Sequence, residues 1–347
     1  MSLQFPYAEP PAAGTTIEVA PGVRWLRMAL PFALDHINLW LLDDELDGVP
    51  GFTIVDCGLS NDATRESWEK VFAAHLGGKP VHRLIVTHYH PDHAGNAGWL
   101  VERFGCPMWM TQGEYLTAHA VMDDAAGYSP EASIALYKAN GLDSSQDEGL
   151  ARRGNFYQKS VLPLPTQYRR YFDGESIRIG GREWQVVVGF GHSPEHASLC
   201  CAVLGACISG DMLLPKISTN VSVWSLDPDG DPLGQFLSSI RKYLQLPADT
   251  LVLPSHGLPF RGAHERVAAL EQHHSERLAE LEQAITAAGR PLSAFDVLGT
   301  LFRRKLDTHQ TTFAMGEAVA HMHYLRYTGR LARVVGVDGV VRYARTA

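Results

Sequence analysis

Short, continuously apolar segments recur along the chain between residues 17 and 262. A strand covered on both faces has such a run, whereas a strand with one face in water alternates apolar and polar residues. Helices must then cover the outer faces of the sheets, so the pattern predicts a layered α/β fold. The predicted strands are Val23–Leu26, Ile37–Leu42, Phe52–Val55, Leu84–Thr87, Met108–Met110, Trp184–Val188, Leu199–Leu204, Cys207–Ser209 and Thr250–Leu253.

Amphipathic segments supply candidates for the outer layers. Periodicity predicts one helix over Asn61–Leu76, which begins with an Asn/Asp cap, and another over Pro232–Leu244. Residues 1–262 are therefore predicted to form one α/β domain.

A helical insertion interrupts the strand pattern at about residues 111–165. Thr111–Glu114 has the sequence of a capping box, and Ser129-Pro130 predicts a second helix start that Asn140-Gly141 ends. Large side chains in the insertion are candidates for lining a substrate pocket, but we expect most of them only to pack the insertion onto the domain. They are Tyr115, Met122, Tyr128, Tyr137, Phe156 and Tyr157.

Residues 263–347 predict a linking helix followed by a small winged-helix-like domain. Ala263–Ala288 is charged and amphipathic, and Gly289-Arg290-Pro291 ends it. Residues 289–347 contain nine Lys/Arg and four Asp/Glu, which gives a local charge of +5. The surface that carries this charge either docks on the acidic body of the protein, stays solvated, or contacts nucleic acid. The small domain is predicted as a helix capped by Ser293 that runs through Lys305, a helix over Phe313–Thr328, and strands Leu331–Val337 and Val340–Tyr343 joined by a primed turn at Asp338-Gly339.

Composition excludes several classes of protein. The 347 residues are enough for about two domains, and no apolar run approaches the roughly 18 residues that span a bilayer. The N-terminus lacks a basic region followed by an apolar one, which predicts no secretory signal and a cytoplasmic location. Five cysteines without a C-x-x-C pair predict reduced thiols. The net charge of −8 gives no general reason to expect nucleic-acid binding.

A dense histidine motif follows the predicted strand Leu84–Thr87. On an extended chain, His88 and His90 point to the same side and can bind one metal ion together. Once the chain turns into a helix, Asp92 and His93 face a neighbouring position, so the motif offers ligands for two ions. Imidazole and carboxylate ligands suit zinc, with iron or manganese as alternatives.

Further candidate ligands follow later strands and are flanked by small residues. His192, Asp211 and His256 each come just after a predicted strand, and Asp56 follows an earlier one. Small neighbours are expected where the backbone turns sharply and approaches a crowded site.

This set of residues resembles the metallo-β-lactamase superfamily, whose signature is H-x-H-x-D-H with His, Asp and His ligands at later strand ends. The resemblance covers roughly residues 17–262 and implies a four-layer αββα sandwich with metals at the edge where strands end. Asp211 corresponds to the carboxylate that bridges both ions, and Asp56 to an aspartate that orients ligands from behind. We expect His196 to bond a ligand or the backbone. The implied ligands are His88, His90 and His192 for the first metal, and Asp92, His93 and His256 for the second.

The resemblance also indicates which reactions of the superfamily to expect. A cysteine commonly stands at the position of Asp211 in zinc β-lactamases that hydrolyse antibiotics, so an aspartate favours the glyoxalase II, lactonase and nuclease branches. The C-terminal tail, residues 289–347, resembles the winged-helix domain of some endoribonucleases and acyl-thioester hydrolases of the superfamily. It differs from the C-terminal domain of glyoxalase II, which argues against glutathione thioesters.

The expected activity is hydrolysis of a carboxylic ester, thioester or lactone. Two divalent ions, most simply Zn²⁺ with Fe or Mn as alternatives, would share a hydroxide nucleophile, while Asp92 relays a proton. The expected partner is a small acyl substrate, and the tail is a candidate contact in a homodimer. Three alternatives stay open: a phosphodiesterase acting on RNA, a mononuclear iron dioxygenase acting on a persulfide, and a binding module without activity.

Overall fold

A computed structural model describes residues 2–125, 127–143, 149, 154–303 and 306–346. The described strands form a seven-stranded sheet, a five-stranded sheet and a two-stranded hairpin near the C-terminus. In chain order they are β1 (Ile17–Ala20), β2 (Val23–Ala29), β3 (His36–Leu46), β4 (Val49–Val55), β5 (Val81–Ile85), β6 (Met108–Met110), β7 (Arg169–Arg170), β8 (Ser176–Ile179), β9 (Arg182–Gly189), β10 (His196–Cys201), β11 (Ala206–Gly210), β12 (Leu251–Pro254), β13 (Leu331–Val335) and β14 (Val341–Arg345).

The helices lie mostly outside the two large sheets. Within the described residues they are α1 (Asp62–His75), α2 (Pro91–Ala94), α3 (Ala97–Phe104), α4 (Gln112–Met122), α5 (Pro130–Ala139), α6 (Phe156–Ser160), α7 (Pro232–Ile240), α8 (Ala263–Ala288), α9 (Leu298–Leu301) and α10 (Thr308–Tyr327), with 3₁₀ turns at Arg241–Gln245 and Phe295–Val297. No helix in these ranges is long and apolar enough to cross a membrane.

Strand direction brings the ends of several strands to one edge of each sheet. The seven-stranded sheet runs in the order β1 to β7, and the second sheet in the order β12-β11-β10-β9-β8. Strands β4 to β7 are parallel, and so are β11 and β12. Because β10 is antiparallel to both β9 and β11, strands β9, β11 and β12 run in the same direction. Loops that follow strands of one direction therefore gather at one edge of each sheet.

Three apolar clusters separate the layers. Trp40 and Trp109 of the first sheet pack against Trp184 of the second, between the two sheets. Helices α1 and α3 cover the outer face of the first sheet. Helices α7 and α8 cover the second, in a cluster that continues into α10 and the C-terminal hairpin. The αββα sandwich is confirmed, and the C-terminal segment packs directly on it.

The insertion contains helices as predicted, but the capping box predicted at Thr111–Glu114 does not form. Thr111 Oγ1 donates to the carbonyl of Glu195 at 2.9 Å and makes no cap bond. The side chain of Glu114 is likewise hydrogen-bonded to other segments, at Tyr89 and Ser193. Partners outside the helix therefore replace the cap bonds of both Thr111 and Glu114. The start at Ser129 is confirmed, since its side chain accepts a hydrogen bond from Ala132 N. So is the stop at Gly141, which has a φ of +94°.

Two predictions in the C-terminal segment are wrong. The helix expected to run from Ser293 through Lys305 ends at Leu301, and Phe302 takes an extended conformation; Arg304 and Lys305 lie outside the described residues. The hairpin turn is not primed, because only Gly339 of the Asp338-Gly339 pair has a positive φ. Gly336 N bonds to Val340 O instead, which closes a loop of three residues. The order of helices followed by a hairpin is present, while the winged-helix assignment itself stays a prediction.

The cysteine prediction also needs correction. Cys200 and Cys207 form a disulfide, whereas Cys57, Cys106 and Cys201 are free and buried as expected. The two bonded residues lie directly opposite each other on antiparallel strands β10 and β11. This pairing across a hairpin places the two thiols together, although the sequence contains no C-x-x-C motif that would have predicted it.

Candidate metal centre

The proposed ligands follow strands whose ends gather at one edge of the two sheets. The loop after β5 and the short helix α2 carry four of them, and the loops after β9, β11 and β12 carry one each. Their ligand atoms fall into two groups: His88, His90, His192 and Asp211 in the first, and Asp92, His93 and His256 in the second.

The first group consists of three imidazoles and a carboxylate. Nε2 of His88 lies 2.9 Å from Nδ1 of His90 and 3.3 Å from Nε2 of His192. Oδ2 of Asp211 lies 3.3 Å from the same nitrogen of His192. His88, His192 and Asp211 are buried, and His90 is partly exposed.

The second group lies on the other side of the Asp211 carboxylate. Oδ2 of Asp92 lies 3.7 Å from Nε2 of His93 and 3.5 Å from Nε2 of His256. Oδ1 of Asp211 is 3.6 Å from the first of these nitrogens and 3.4 Å from the second. One oxygen of Asp211 therefore faces each group.

The spacing and burial of these atoms fit divalent metal ions. Ligands at about 2.0–2.2 Å around a tetrahedral ion lie roughly 3.3–3.6 Å from one another, and most of the separations above have this size. Within the described part of the chain, Nε2 of His93 and Oδ1 of Asp211 are also buried without a hydrogen-bond partner. Such atoms are costly unless another group binds them. A set of histidines and aspartates suits zinc, iron or manganese.

Asp56 lies behind His93. Its Oδ2 accepts hydrogen bonds from His93 Nδ1 at 2.7 Å and from Thr87 Oγ1 at 2.8 Å, and its Oδ1 accepts one from Thr87 N at 2.8 Å. Asp56 is buried and has a left-handed φ of +60°. With the proton held on Nδ1, the lone pair of His93 Nε2 faces the second group.

Backbone carbonyls orient two more imidazoles. His192 Nδ1 donates to the carbonyl of Asn220 at 2.8 Å, and His256 Nδ1 donates to the carbonyl of His36 at 2.7 Å. The ring of His36 accepts a bond from Gly257 N at 2.8 Å. His36 therefore holds the turn that carries His256, through its backbone carbonyl and its ring.

His196 holds the backbone beside Asp211. Its Nε2 accepts a hydrogen bond from Asp211 N at 3.0 Å. The ring lies so close to Gly210 that a Cβ there would overlap it, and Gly210 has a φ of +54°. A glycine before Asp211 therefore permits both the turn and the close approach.

Electrostatics divides the cluster into neutral and charged members. Burial, together with the neighbouring imidazoles, holds the pKa of His88 well below its usual range, so this ring stays neutral and able to bind a metal. Burial also lowers the pKa of His93, but carboxylates, above all Asp56, outweigh it and raise that pKa well above the usual value. Burial raises the pKa of Asp211, yet His256 and His93 hold it well below normal. A bound cation would supply the positive charge that a proton on His93 otherwise provides.

Glu114 is a buried residue of the site that the sequence did not reveal. Its Oε2 accepts a bond from Tyr89 N at 2.9 Å, and its Oε1 accepts bonds from Ser193 Oγ at 2.6 Å and Glu195 N at 2.7 Å. It thus ties the loop after β5 to the loop after β9. Burial raises its pKa to about 7, although the three hydrogen bonds favour the ionised form. No local pattern connects Glu114 with partners about 80 residues away, so only the fold shows this role.

A cavity of about 850 Å³ opens over the two ligand groups. Its size lies in the usual range of ligand pockets, about 300–1,000 Å³. The insertion, the loop after β2, residues 218–225 and the first turns of α10 form its walls. The expectation that most of the large side chains in the insertion only pack it is wrong, because four line this cavity. They are Tyr128, Tyr137, Phe156 and Tyr157.

Comparison with known protein families agrees with this architecture. A family model described as the metallo-beta-lactamase superfamily matches residues 35–256. The chain belongs to this superfamily. A second model, described as the metallo-beta-lactamase-like C-terminal domain, matches residues 278–346. Together with the His/Asp cluster, membership of the metallo-beta-lactamase superfamily makes the protein a metal-dependent hydrolase. The boundary predicted between residues 262 and 263 stays a prediction.

Similar proteins extend the match over nearly the whole chain. Probable metallo-hydrolase YqjP of Bacillus subtilis is 24% identical over 311 residues, which cover 86% of this chain and 91% of YqjP. The crystal structure of a beta-lactamase domain protein from Burkholderia ambifaria has 49% identity and a TM-score of 0.92, covering 99% of this chain and 98% of its own. A metallo-beta-lactamase family protein from Thermus thermophilus has 27% identity and a TM-score of 0.78, covering 95% of this chain and 100% of its own.

Proposed function

We propose that this metal-dependent hydrolase cleaves a carboxylic ester, a thioester or a lactone. The observation that supports this class is the chemistry of the cavity wall. Aromatic and aliphatic side chains dominate it, and its described residues include neither lysine nor arginine. Recognition of phosphate groups relies on such cations, whereas an apolar acyl chain needs none.

The proposed site holds two ions, zinc in the first instance. When bound, two such ions polarise a carbonyl group and lower the pKa of a shared water so that it ionises near neutral pH. Asp211 would be shared between them, because its two oxygens face different groups. The residues proposed to hold the ions are His88, His90 and His192 on one side, and Asp92, His93 and His256 on the other.

Asp92 is the residue that we assign to proton transfer. Its side chain is 19% exposed and lines the cavity, whereas that of Asp211 is 10% exposed. A carboxylate at this boundary can carry a proton to the departing alcohol or thiol. Tyr157 donates a hydrogen bond to the carbonyl of Tyr89 at 2.8 Å, which fixes the wall of the cavity next to the ligands.

The basic tail gives little support to the alternative of RNA cleavage. Five of its nine basic residues pair with acidic side chains, and three of these five partners lie outside the tail, so they offset three charges of the local excess of +5. Arg304 and Lys305 lie outside the described residues. The pairs are Arg290–Asp296, Arg303–Glu280, Arg326–Asp229, Arg330–Glu282 and Arg342–Asp338.

A substrate panel with metal analysis on the same sample tests the proposal. Protein loaded separately with zinc, iron or manganese is given a nitrophenyl ester, an acyl thioester, a lactone and bis(4-nitrophenyl) phosphate. We expect turnover of at least one acyl substrate, about two ions per chain, and loss of turnover in His90→Ala. His82→Ala is the matched control, since His82 lies on β5 but outside the cavity.

Two results would contradict the proposal. Cleavage of the phosphodiester alone, with RNA binding that weakens steeply as salt rises, would identify a nuclease. About one iron per chain, with oxygen consumed in the presence of a persulfide, would identify a dioxygenase.

A further inference from the structure

The carboxylate of Glu317 lines the same cavity as the metal centre. It projects from α10, in the C-terminal segment, and has neither a hydrogen-bond nor an ion-pair partner for its side chain among the residues that the structure describes. Its environment therefore lacks the compensation that a buried carboxylate needs.

The spacing of residues on α10 directs Glu317 into the cavity. Gln310, Phe313, Ala314 and Glu317 recur at intervals of three or four residues and all line it, which places them on one face of the helix. Other sides of the helix carry Met315, Val319, Met322 and Leu325 into the apolar cluster beside the second sheet. Glu317 is thus held by a helix that is anchored along its length.

A short series of contacts connects this part of α10 to the metal centre. The carbonyl of Gly316 accepts a hydrogen bond from Val223 N at 3.1 Å. Ser222, the adjacent residue, donates to Asn220 Oδ1 at 2.9 Å. The carbonyl of Asn220 in turn orients His192. Helix α10 is therefore bonded, at the residue before Glu317, to the segment that supports a metal ligand.

The surroundings of Glu317 favour a positively charged group from outside the protein. Burial raises its pKa to about 7, although some of its side-chain surface remains accessible from the cavity. No lysine or arginine is present among the described wall residues. The aromatic side chains of Tyr128 and Trp224 line the same space, and aromatic faces attract cations.

We propose that Glu317 binds a cationic amino group of the substrate, so that the enzyme acts on acyl compounds that carry an ammonium group. This inference rests on the proposed acyl-hydrolase function. The metal centre would hold the scissile carbonyl, and Glu317 would fix the position of the ammonium group at another part of the wall. Glu317 acts as a specificity residue, because it contacts the substrate away from the reacting atoms.

A pair of matched esters tests the proposal. 4-Nitrophenyl 6-aminohexanoate carries an ammonium group where 4-nitrophenyl heptanoate carries a methyl group of similar size. We expect the zinc-loaded wild-type protein to prefer the amino ester by about tenfold or more in kcat/KM, mostly through KM, as a charge-assisted contact predicts. This preference does not depend on the folding of any variant.

Variants then assign the preference to one side chain. Glu317→Gln should reduce the ratio of the two kcat/KM values by about tenfold, and Glu317→Asp should retain part of it. Glu276→Gln removes an exposed carboxylate outside the cavity, with the same change in net charge, and should leave the ratio unchanged. Equal kcat/KM values for the two esters in the wild-type protein, or an unchanged ratio in Glu317→Gln, would overturn the assignment.

A binding measurement separates this inference from the proposed function. The substrate panel above decides the acyl-hydrolase proposal, and if neither of these two esters is hydrolysed, calorimetry on the zinc-loaded protein still decides the role of Glu317. Hexylammonium should then bind more tightly than hexanol to the wild-type protein, and Glu317→Gln should remove the difference. Equal binding of the two probes by the wild-type protein would refute the ammonium site.

Discussion

Asp56 accepts three hydrogen bonds, two from Thr87 and one from His93. Asp56→Asn keeps the size of the side chain but removes its charge and places an amide donor against one of these donors. We expect zinc affinity to fall 10- to 100-fold, as is typical when a residue that orients a metal ligand is changed. Competition between the protein and a chelator of known affinity measures this fall.

Asp44 offers a matched control for that experiment. It is a buried carboxylate that pairs with Arg83 at 2.9 Å and accepts a bond from Thr53 at 2.6 Å, and it takes no part in the metal centre. Asp44→Asn should lower thermal stability without changing zinc affinity. If both variants lost affinity equally, the loss at Asp56 would reflect general destabilisation.

The residues of the site differ in how far sequence can predict them. His88 to His93 are packed into one motif, and His192, Asp211 and His256 each follow an apolar strand, so their positions could be read directly. Glu114 and His36 act through tertiary hydrogen bonds to segments about 80 and 220 residues away. The packing of whole layers determines which residues these hydrogen bonds join, and no local sequence pattern encodes them.

At the scale of elements, α10 depends on a close approach to residues 222 and 223. A Cβ added to Gly316 would lie 2.8 Å from both Cβ and Oγ of Ser222. Alanine normally stabilises a helix interior by about 1 kcal/mol relative to glycine, but here the overlap should reverse the sign. We expect Gly316→Ala to destabilise the protein by about 1–3 kcal/mol, as measured by denaturant unfolding.

Gly299 in α9 provides the comparison. A Cβ at this position would meet no atom within 4 Å, so Gly299→Ala should be neutral or stabilising by up to about 1 kcal/mol. A Gly316→Ala protein as stable as Gly299→Ala would show that α10 can shift away from Ser222 at no cost.

Elements with a strong local sequence signal were predicted more accurately than those whose ends depend on contacts elsewhere in the fold. Met108–Met110 and Ala263–Ala288 have the bounds read from the sequence, because apolar runs and helical periodicity are strong local signals. The helix expected to reach Lys305 stops early, since Phe302 turns to line the cavity. The capping box at Thr111 fails for a similar reason, because a partner outside its helix takes its side chain.

At the scale of the whole molecule, a buried histidine pair joins the linking helix to the C-terminal segment. His274 of α8 donates through Nδ1 to Nε2 of His321 in α10 at 3.2 Å, and His321 Nδ1 donates to the carbonyl of Glu317 at 2.8 Å. Both rings are neutral in this arrangement. Burial, with further contributions from neighbouring charges, lowers the pKa of His274 to about 3 and that of His321 to about 4.

This pair should make the contact between the two segments sensitive to acid. In the unfolded chain both histidines take up protons near pH 6.5, whereas in the folded protein they resist protonation until about pH 4 or below. The unfolded state therefore binds more protons between these values, so stability falls as the pH drops from about 6.5 towards 4. Each such proton contributes about 1.4 kcal/mol per pH unit to the slope.

Replacing both histidines tests this contribution. The double variant His274→Leu/His321→Leu removes both hydrogen-bonding partners together, which avoids leaving one of them unpaired. Its free energy of unfolding should depend less steeply on pH between about 4 and 6.5 than that of the wild-type protein, with both measured in chelator so that the ligand cluster contributes equally. His82→Leu, at a partly exposed position on β5, should keep the wild-type slope. A double variant with that same slope would show that the pair is protonated in the folded protein at no cost.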